Sequence, residues 1–188
     1  SRVSRGLGDV YKRQPDCYDK LGTYAQMNPP LRSKDHYDRL WVAIKNNVVD
    51  VLGSDHAPHL KKDKDKVYPN TPSGMPGVQT IFPVMIDHVN NGKLKLNQLI
   101  NLMCENPCKI FGIRNKGFIK EGFDADLTIV DMDKEVTIKN EMIASKCGWT
   151  PFHNYKVKGF PVGTIVNGIL VMSEGKILVE SKGQPLKF

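Results

Sequence analysis

Asp55, His56 and His59 fall within five residues of one another in the run Ser54-Asp55-His56-Ala57-Pro58-His59, the densest chemical cluster in the chain. A carboxylate placed there can bind a metal ion and exchange a proton with bound water, and an imidazole can donate to a substrate carboxylate. The same spacing also fits a strand-end turn in which Asp55 caps a backbone amide. Two other segments carry candidate binding groups. In Met27-Asn28-Pro29-Pro30-Leu31-Arg32 the paired prolines hold Asn28 extended. That rigid presentation suits a hydrogen bond to a substrate amide or carboxylate, and it equally suits a stiff loop before a helix. In Thr71-Pro72-Ser73-Gly74-Met75-Pro76-Gly77 the glycines permit close backbone approach to a ligand, although such segments also serve simply as loops.

These residues need elements to hold them, and the apolar periodicity outlines a set. Ser33 and Asp35 are good N-caps, and Leu40, Trp41, Ile44 and Val48 recur at helical spacing, which predicts a helix from Ser33 that ends at Asn46-Asn47. Val48-Val49-Asp50-Val51-Leu52-Gly53 then reads as a short buried strand. Helix, strand and polar loop in that order indicate an α/β protein with a parallel sheet, whose functional groups sit at the carboxyl ends of strands. Residues 60–76 read as a long functional loop, with the basic stretch Lys61–Lys66 solvated at the surface. A helix is expected from about Val78 to Asn91, its Met and aromatic residues forming core. Another runs from an Asn97 cap through Leu99, Ile100 and Met103 until Pro107 breaks it. Beyond Gly117 the pattern changes to strands at 125–130, 135–139 and 164–172, with turns at Asn167-Gly168 and Ser173-Glu174-Gly175-Lys176. The expected organisation is therefore an α/β unit over 15–116 and a small β-rich unit over 117–188. Residues 1–14 follow neither period and resemble a translated adapter, so the natural sequence is expected to enter near Pro15.

Composition excludes several classes. A chain of 188 residues with 40% hydrophobic and 25% charged residues is neither disordered nor fibrous. No apolar run approaches the ~20 residues of a membrane-spanning helix, and the N-terminus has no apolar signal core. Four cysteines are too few for a disulfide scaffold and point to a reducing, cytoplasmic location. Cys104 and Cys108, four residues apart, read as buried helix thiols rather than a metal clip; His36, His88 and His153 read as surface or packing residues. The net charge of +7 is concentrated in the first 14 residues and in Lys61–Lys66, so it does not indicate a nucleic-acid partner.

Taken in order, NPPLR, GSDHAPH and PSGMPGVQT resemble the C-terminal half of a dihydroorotase of the metal-dependent amidohydrolase superfamily. The later segments ENPCKIFGI, EGFDADLTIVD and KCGWTPFHNYKVKGFPVGTIVNG resemble the same family's tail, so the likeness runs from about Pro15 to the C-terminus. It implies the C-terminal part of a (β/α)8 metal-dependent hydrolase barrel followed by part of a small β-sandwich domain. It also implies roles. Asp55 would ligate zinc and act as the catalytic acid/base, taking a proton from the attacking oxygen and passing it to the leaving amide nitrogen. Asn28 and His59 would hold the substrate's carboxylate and ring amide, and Ser73 and Gly74 would bond the pyrimidine ring through their backbone. His56 is read as supporting the site rather than touching substrate.

The implied activity is reversible, zinc-dependent hydrolysis of dihydroorotate to N-carbamoyl-L-aspartate in pyrimidine synthesis. The family's binuclear zinc site draws its other ligands from an N-terminal half that does not match this chain, so the chain alone is expected to be inactive. Another cyclic amidohydrolase, such as a hydantoinase or allantoinase, is the nearest alternative. A non-catalytic assembly partner of aspartate transcarbamoylase is the alternative from a different class. Partners are expected to be a small-molecule substrate and either a second copy or that transcarbamoylase, with neither nucleic acid nor membrane.

Overall fold

A computed structural model describes residues 16–179 and 183–188, so the predicted leader lies outside the described residues. The described residues open with α1 (Cys17–Leu21) and a 3-10 turn at Gly22–Ala25, which lead into the Asn28 loop. α2 (Lys34–Lys45) follows, burying Trp41 and Ile44 as their spacing predicts, while Val48 lies beyond its end and is exposed. α3 (Lys61–Lys64) is a single turn, and α4 (Ile81–Asn90) carries Pro83 in its first turn, where a missing N–H breaks no bond. α5 (Leu96–Ile100), a π turn at Asn101–Glu105 and α6 (Asn106–Phe111) then run consecutively. No helix among the described residues is long and apolar enough to cross a membrane.

Several expectations are corrected here. The strand expected over 48–53 does not form: among the described residues no strand flanks it, and Leu52 donates its amide instead to the Leu102 carbonyl at 3.0 Å. Parallel pairing occurs later, as one bridge between His56 and Met75. Pro107 does not stop its helix, because the preceding π turn removes the need for the bond that proline cannot donate. The helix continues to Phe111, and Gly112 at φ +67° closes it. The extra residue of the π turn rotates the helical face, leaving Cys104 exposed and Cys108 half-buried rather than both buried. The basic stretch is not wholly a solvated loop either, since Lys64 is fully buried.

The C-terminal third is a four-stranded antiparallel sheet in the order β1-β2-β3-β4. The two strands expected at 125–130 and 135–139 are one bulged strand, β1 (Leu127–Thr137). At the bulge the Asp131 carboxylate accepts the amides of Asp133 and Lys134 at 2.9 and 3.1 Å, satisfying donors that leave the ladder. β2 (Lys156–Val166) begins earlier than the sequence suggests, because Gly159 and Pro161 mask its period. Asn167 and Gly168 both take positive φ and join β2 to β3 (Ile169–Ser173), and Glu174 and Gly175 do the same before β4 (Lys176–Ile177). Both are the primed two-residue turns that match the twist of paired strands.

The sheet packs on α4. Lys158 donates its amide to the Asp87 carboxylate at 2.9 Å, and the Asn90 side chain donates to the carbonyls of Met132 and Lys158 at 2.9 and 2.7 Å. Trp41, Ile44, Val84, Met85, Ile86 and Val157 belong to the core cluster along this seam. His88 is buried there, edge-on to Trp41 with ring centroids 5.0 Å apart. A smaller cluster of Cys17, Ala25, Met27, Leu31, Met75, Cys147 and Trp149 joins the Asn28 loop to the later chain. At Gly159, φ is +93° and a Cβ would stand 2.1 Å from Ile86 Cγ2 and 2.9 Å from Asn90 Nδ2. Gly159→Ala should therefore cost about 2–4 kcal/mol, overpacking and backbone strain together, measured as a fall in urea midpoint. An unchanged midpoint would contradict this packing of sheet on helix.

Candidate active site

Three segments far apart in sequence meet through main-chain bonds. Gly74 donates its amide to the Gln26 carbonyl at 2.9 Å, tying the Asn28 loop to the Ser73–Gly74 loop. Ala57 donates to the Met75 carbonyl at 3.0 Å, next to the His56–Met75 bridge, tying the Asp55–His59 segment to the same loop. Gly74 makes this approach possible. Its φ is +142°, and a Cβ would lie 2.7 Å from both the Cβ and the carbonyl oxygen of Ala57 and 3.0 Å from His59 Nε2. The polar and apolar anchors divide neatly: Met27, Leu31 and Met75 are buried, while Asn28 and Ser73 beside them are exposed. The peptide between Asn28 and Pro29 is cis, and Leu31 donates its amide to the Tyr18 hydroxyl at 2.9 Å.

His59 is half-buried, with Nε2 3.1 Å from the Ser73 carbonyl oxygen. A carbonyl only accepts, so Nε2 carries the proton and Nδ1 is the atom left to meet a ligand. It can accept from a substrate N–H or, as imidazolium, donate to a carboxylate. Trp149 fixes the backbone of the same residue, its indole N–H donating to the His59 carbonyl at 2.7 Å. Asp55 is exposed and sits at φ +46°, a left-handed conformation that aspartate tolerates better than most residues. His56 points elsewhere: its Nδ1 accepts the amides of Gly77 and Val78 at 3.0 and 3.3 Å, which holds the turn before α4. His56 also lines a cavity of about 350 Å³ with Gln79, Ile143 and Thr150.

The donor set for a metal does not close among the described residues. Asp55 offers a carboxylate, but Nδ1 of His56 and Nε2 of His59 are engaged with the backbone, and no group of three ligating side chains converges among the described residues. A binuclear centre does not fit these residues by themselves.

Three residues that the sequence did not single out hold the site together. Gln26 accepts through its backbone and donates through its side chain to the Thr71 carbonyl and the Ser73 hydroxyl at 3.2 and 3.3 Å. Trp149 anchors His59, as described. Lys64 donates to the carbonyls of Gln26 and Pro72 at 3.1 and 2.9 Å, with its ammonium 5.9 Å from the Trp149 ring centroid. No carboxylate pairs with it among the described residues, and burial pushes its pKa down to about 8. Nearby, burial and the Asp65 carboxylate push the Tyr24 hydroxyl up to about 12. Position two before Asn28 in a proline-stiffened loop was a usable signal for Gln26. Nothing in the run of alternating lysines and aspartates distinguishes Lys64.

Comparison with known proteins places this arrangement. Residues 18–171 match the family described as "Amidohydrolase family". The chain belongs to the amidohydrolase family. It is similar to a dihydroorotase of Pyrococcus furiosus, 43% identical over 167 residues, covering 89% of this chain and 38% of that protein. It is similar also to an L-hydantoinase of Paenarthrobacter aurescens, 38% identical over 170 residues, covering 88% of the chain and 37% of the relative. Among solved structures, an L-hydantoinase (dihydropyrimidinase) from Arthrobacter aurescens superimposes with a TM-score of 0.92 at 36% identity, covering 97% of this chain and 42% of that one. This amidohydrolase chain thus spans about two-fifths of the proteins it matches. The expected fold class stands: part of a (β/α)8 hydrolase barrel followed by part of a small β domain.

The buried lysine gives a pH signature. Its pKa is 10.5 in an ordinary setting and about 8 here. Between those values the unfolded chain holds the proton more tightly than the folded one, so folding gains as pH rises; below about 8 the cost of burying the cation is present in full. The stability of wild type relative to Lys64→Met should rise from pH 8 to 10.5 in urea titrations. A flat difference would contradict the burial of this ammonium.

Proposed function

We propose that the protein carrying this chain is a dihydroorotase, hydrolysing the cyclic amide of (S)-dihydroorotate reversibly to N-carbamoyl-L-aspartate. The observation that supports this reading best is the gathering of Asn28, Asp55, His59, Ser73 and Gly74 onto one loop cluster by the Gly74–Gln26 and Ala57–Met75 bonds. In the forward reaction a C–O bond forms at the ring amide carbon and the C–N bond breaks. Asp55 accepts the proton lost by the attacking oxygen and returns it to the leaving nitrogen, so the carboxylate is regenerated. Asn28 and the His59 ring would supply hydrogen bonds to the substrate's carboxylate and ring amide, and the Ser73–Gly74 backbone would bond the ring edge. Among the described residues, Asp55 is the side chain that would serve as a ligand to the zinc centre of the whole protein. Assayed by itself, the 188-residue chain should show no turnover of dihydroorotate.

The structural likeness to an L-hydantoinase supports a second reading, hydrolysis of a substituted hydantoin. The two substrates differ in the ring carboxylate, which Asn28 would recognise in the dihydroorotase reading. Assay of the whole protein should show faster turnover of dihydroorotate than of a 5-substituted hydantoin. Asp55→Asn should lower kcat about 10²–10⁴-fold with little change in melting temperature, as expected for loss of a positioned acid/base. Asn28→Ala should raise KM for dihydroorotate about tenfold, the equivalent of ~1.4 kcal/mol. Preference for the hydantoin, or indifference of dihydroorotate turnover to Asn28→Ala, would overturn the assignment.

A further inference from the structure

Lys64 is fully buried, with 0% relative exposure. A buried cation is costly unless its protons find acceptors, and here they find backbone. Its Nζ donates to the Gln26 carbonyl at 3.1 Å and the Pro72 carbonyl at 2.9 Å. Gln26 lies two residues before Asn28, and Pro72 directly precedes Ser73. One ammonium therefore spans the two loops that present Asn28 and Ser73–Gly74. The Gln26 carbonyl it holds also accepts the Gly74 amide at 2.9 Å, so the clamp and the inter-loop bond share one oxygen. The third side of the ammonium faces the Trp149 ring, whose N–H holds the His59 backbone.

The lysine's own backbone is fixed as firmly. The Lys64 carbonyl accepts the Thr23 hydroxyl at 2.5 Å and the Thr71 hydroxyl at 3.4 Å, so the turn α3 is bonded to the residues ahead of both loops. Its neighbours are occupied elsewhere: Asp63 pairs with Lys66 at 2.8 Å, and Asp65 accepts the Tyr24 hydroxyl at 2.7 Å. The nearby carboxylates are thus turned away from the ammonium, which is committed to the loops.

We infer that Lys64 is a positioning residue that sets the spacing between the Asn28 loop and the Ser73–Gly74 loop, and through it the fit of the substrate. This rests on the proposed cyclic-amide substrate for its kinetic consequence, but the clamp itself does not. Lys64 touches no reacting atom. Its removal should loosen the gap between the loops without altering the groups that carry out the chemistry.

The test is hydrogen exchange and steady-state kinetics on the whole protein and its Lys64→Met variant. The Gly74 amide reports the clamped contact, while the Val84 amide, bonded to Thr80 within α4, reports general stability. Exchange at Gly74 should accelerate about tenfold or more in Lys64→Met while Val84 changes by less than about threefold, the mark of a local opening. KM for dihydroorotate should rise about tenfold with kcat within about threefold, since binding and not the chemical step depends on the spacing. If Lys64→Met gives too little folded protein, Lys64→Gln, which keeps an amide donor group, should show the same pattern with smaller changes. Equal acceleration at Gly74 and Val84 would reduce Lys64 to a stability residue and overturn the inference, as would an unchanged KM. Should the wild-type protein itself leave dihydroorotate unturned, the substrate reading fails, and the Gly74–Val84 comparison still decides the clamp.

Discussion

The carbonyl oxygen of Gln26 is where the site is held together. It accepts both the Gly74 amide and the Lys64 ammonium, so a main-chain bond and a buried charge converge on one acceptor. Around it lie an exposed asparagine, an exposed serine and a half-buried histidine, none of which could hold its place through side-chain packing. Their positions come from the backbone, and the backbone comes from this junction. Gly74 is the steric condition for it, because any side chain there would displace Ala57 and the His59 ring. Buried Met27, Leu31 and Met75 supply the apolar footing that keeps water away from these bonds, which raises the cost of breaking them.

A second constraint links the site to the β-rich third of the chain. Trp149 lies just ahead of the long strand β2, packs edge-on to Tyr24 with ring centroids 4.9 Å apart, and reaches the His59 backbone with its N–H. The sheet is in turn fixed to α4 by Asn90, Asp87 and the close contact at Gly159. The segment before α4 is held by His56. The site's loops are therefore braced from two sides, by the helix that follows them and by a tryptophan from the later unit. This explains how a chain with a single bridge of parallel pairing among its described residues still presents an ordered loop cluster.

The parts readable in the sequence are those set by local chemistry. Asn167-Gly168 forms the turn its residue types demand, and Trp41 and Ile44 face the core; that the SDHAPH, NPPLR and PSGMPG segments belong together is implied by the family resemblance alone. The parts that were not readable depend on neighbours. Val48 to Gly53 has the composition of a strand but no partner strand beside it among the described residues. Pro107 carries a helix-breaking signal that a π turn cancels. Lys64 sits in a run that reads as solvated, and only the positions of Gln26, Pro72 and Trp149 bury it. Residue type alone does not distinguish a lysine in water from a lysine facing two carbonyls.

In the proposed function, three separate segments of this chain form one binding surface for a cyclic amide bearing a carboxylate. A crystal structure of the whole protein with dihydroorotate bound tests it most directly. Hydrogen bonds within about 3.2 Å are expected between the same ligand and the Asn28 side chain, the His59 ring and the Ser73–Gly74 backbone, with the Asp55 carboxylate beside the ring amide. A ligand bound at the cavity beside His56, or one contacted by a single segment while Asn28 and His59 face solvent, would contradict it.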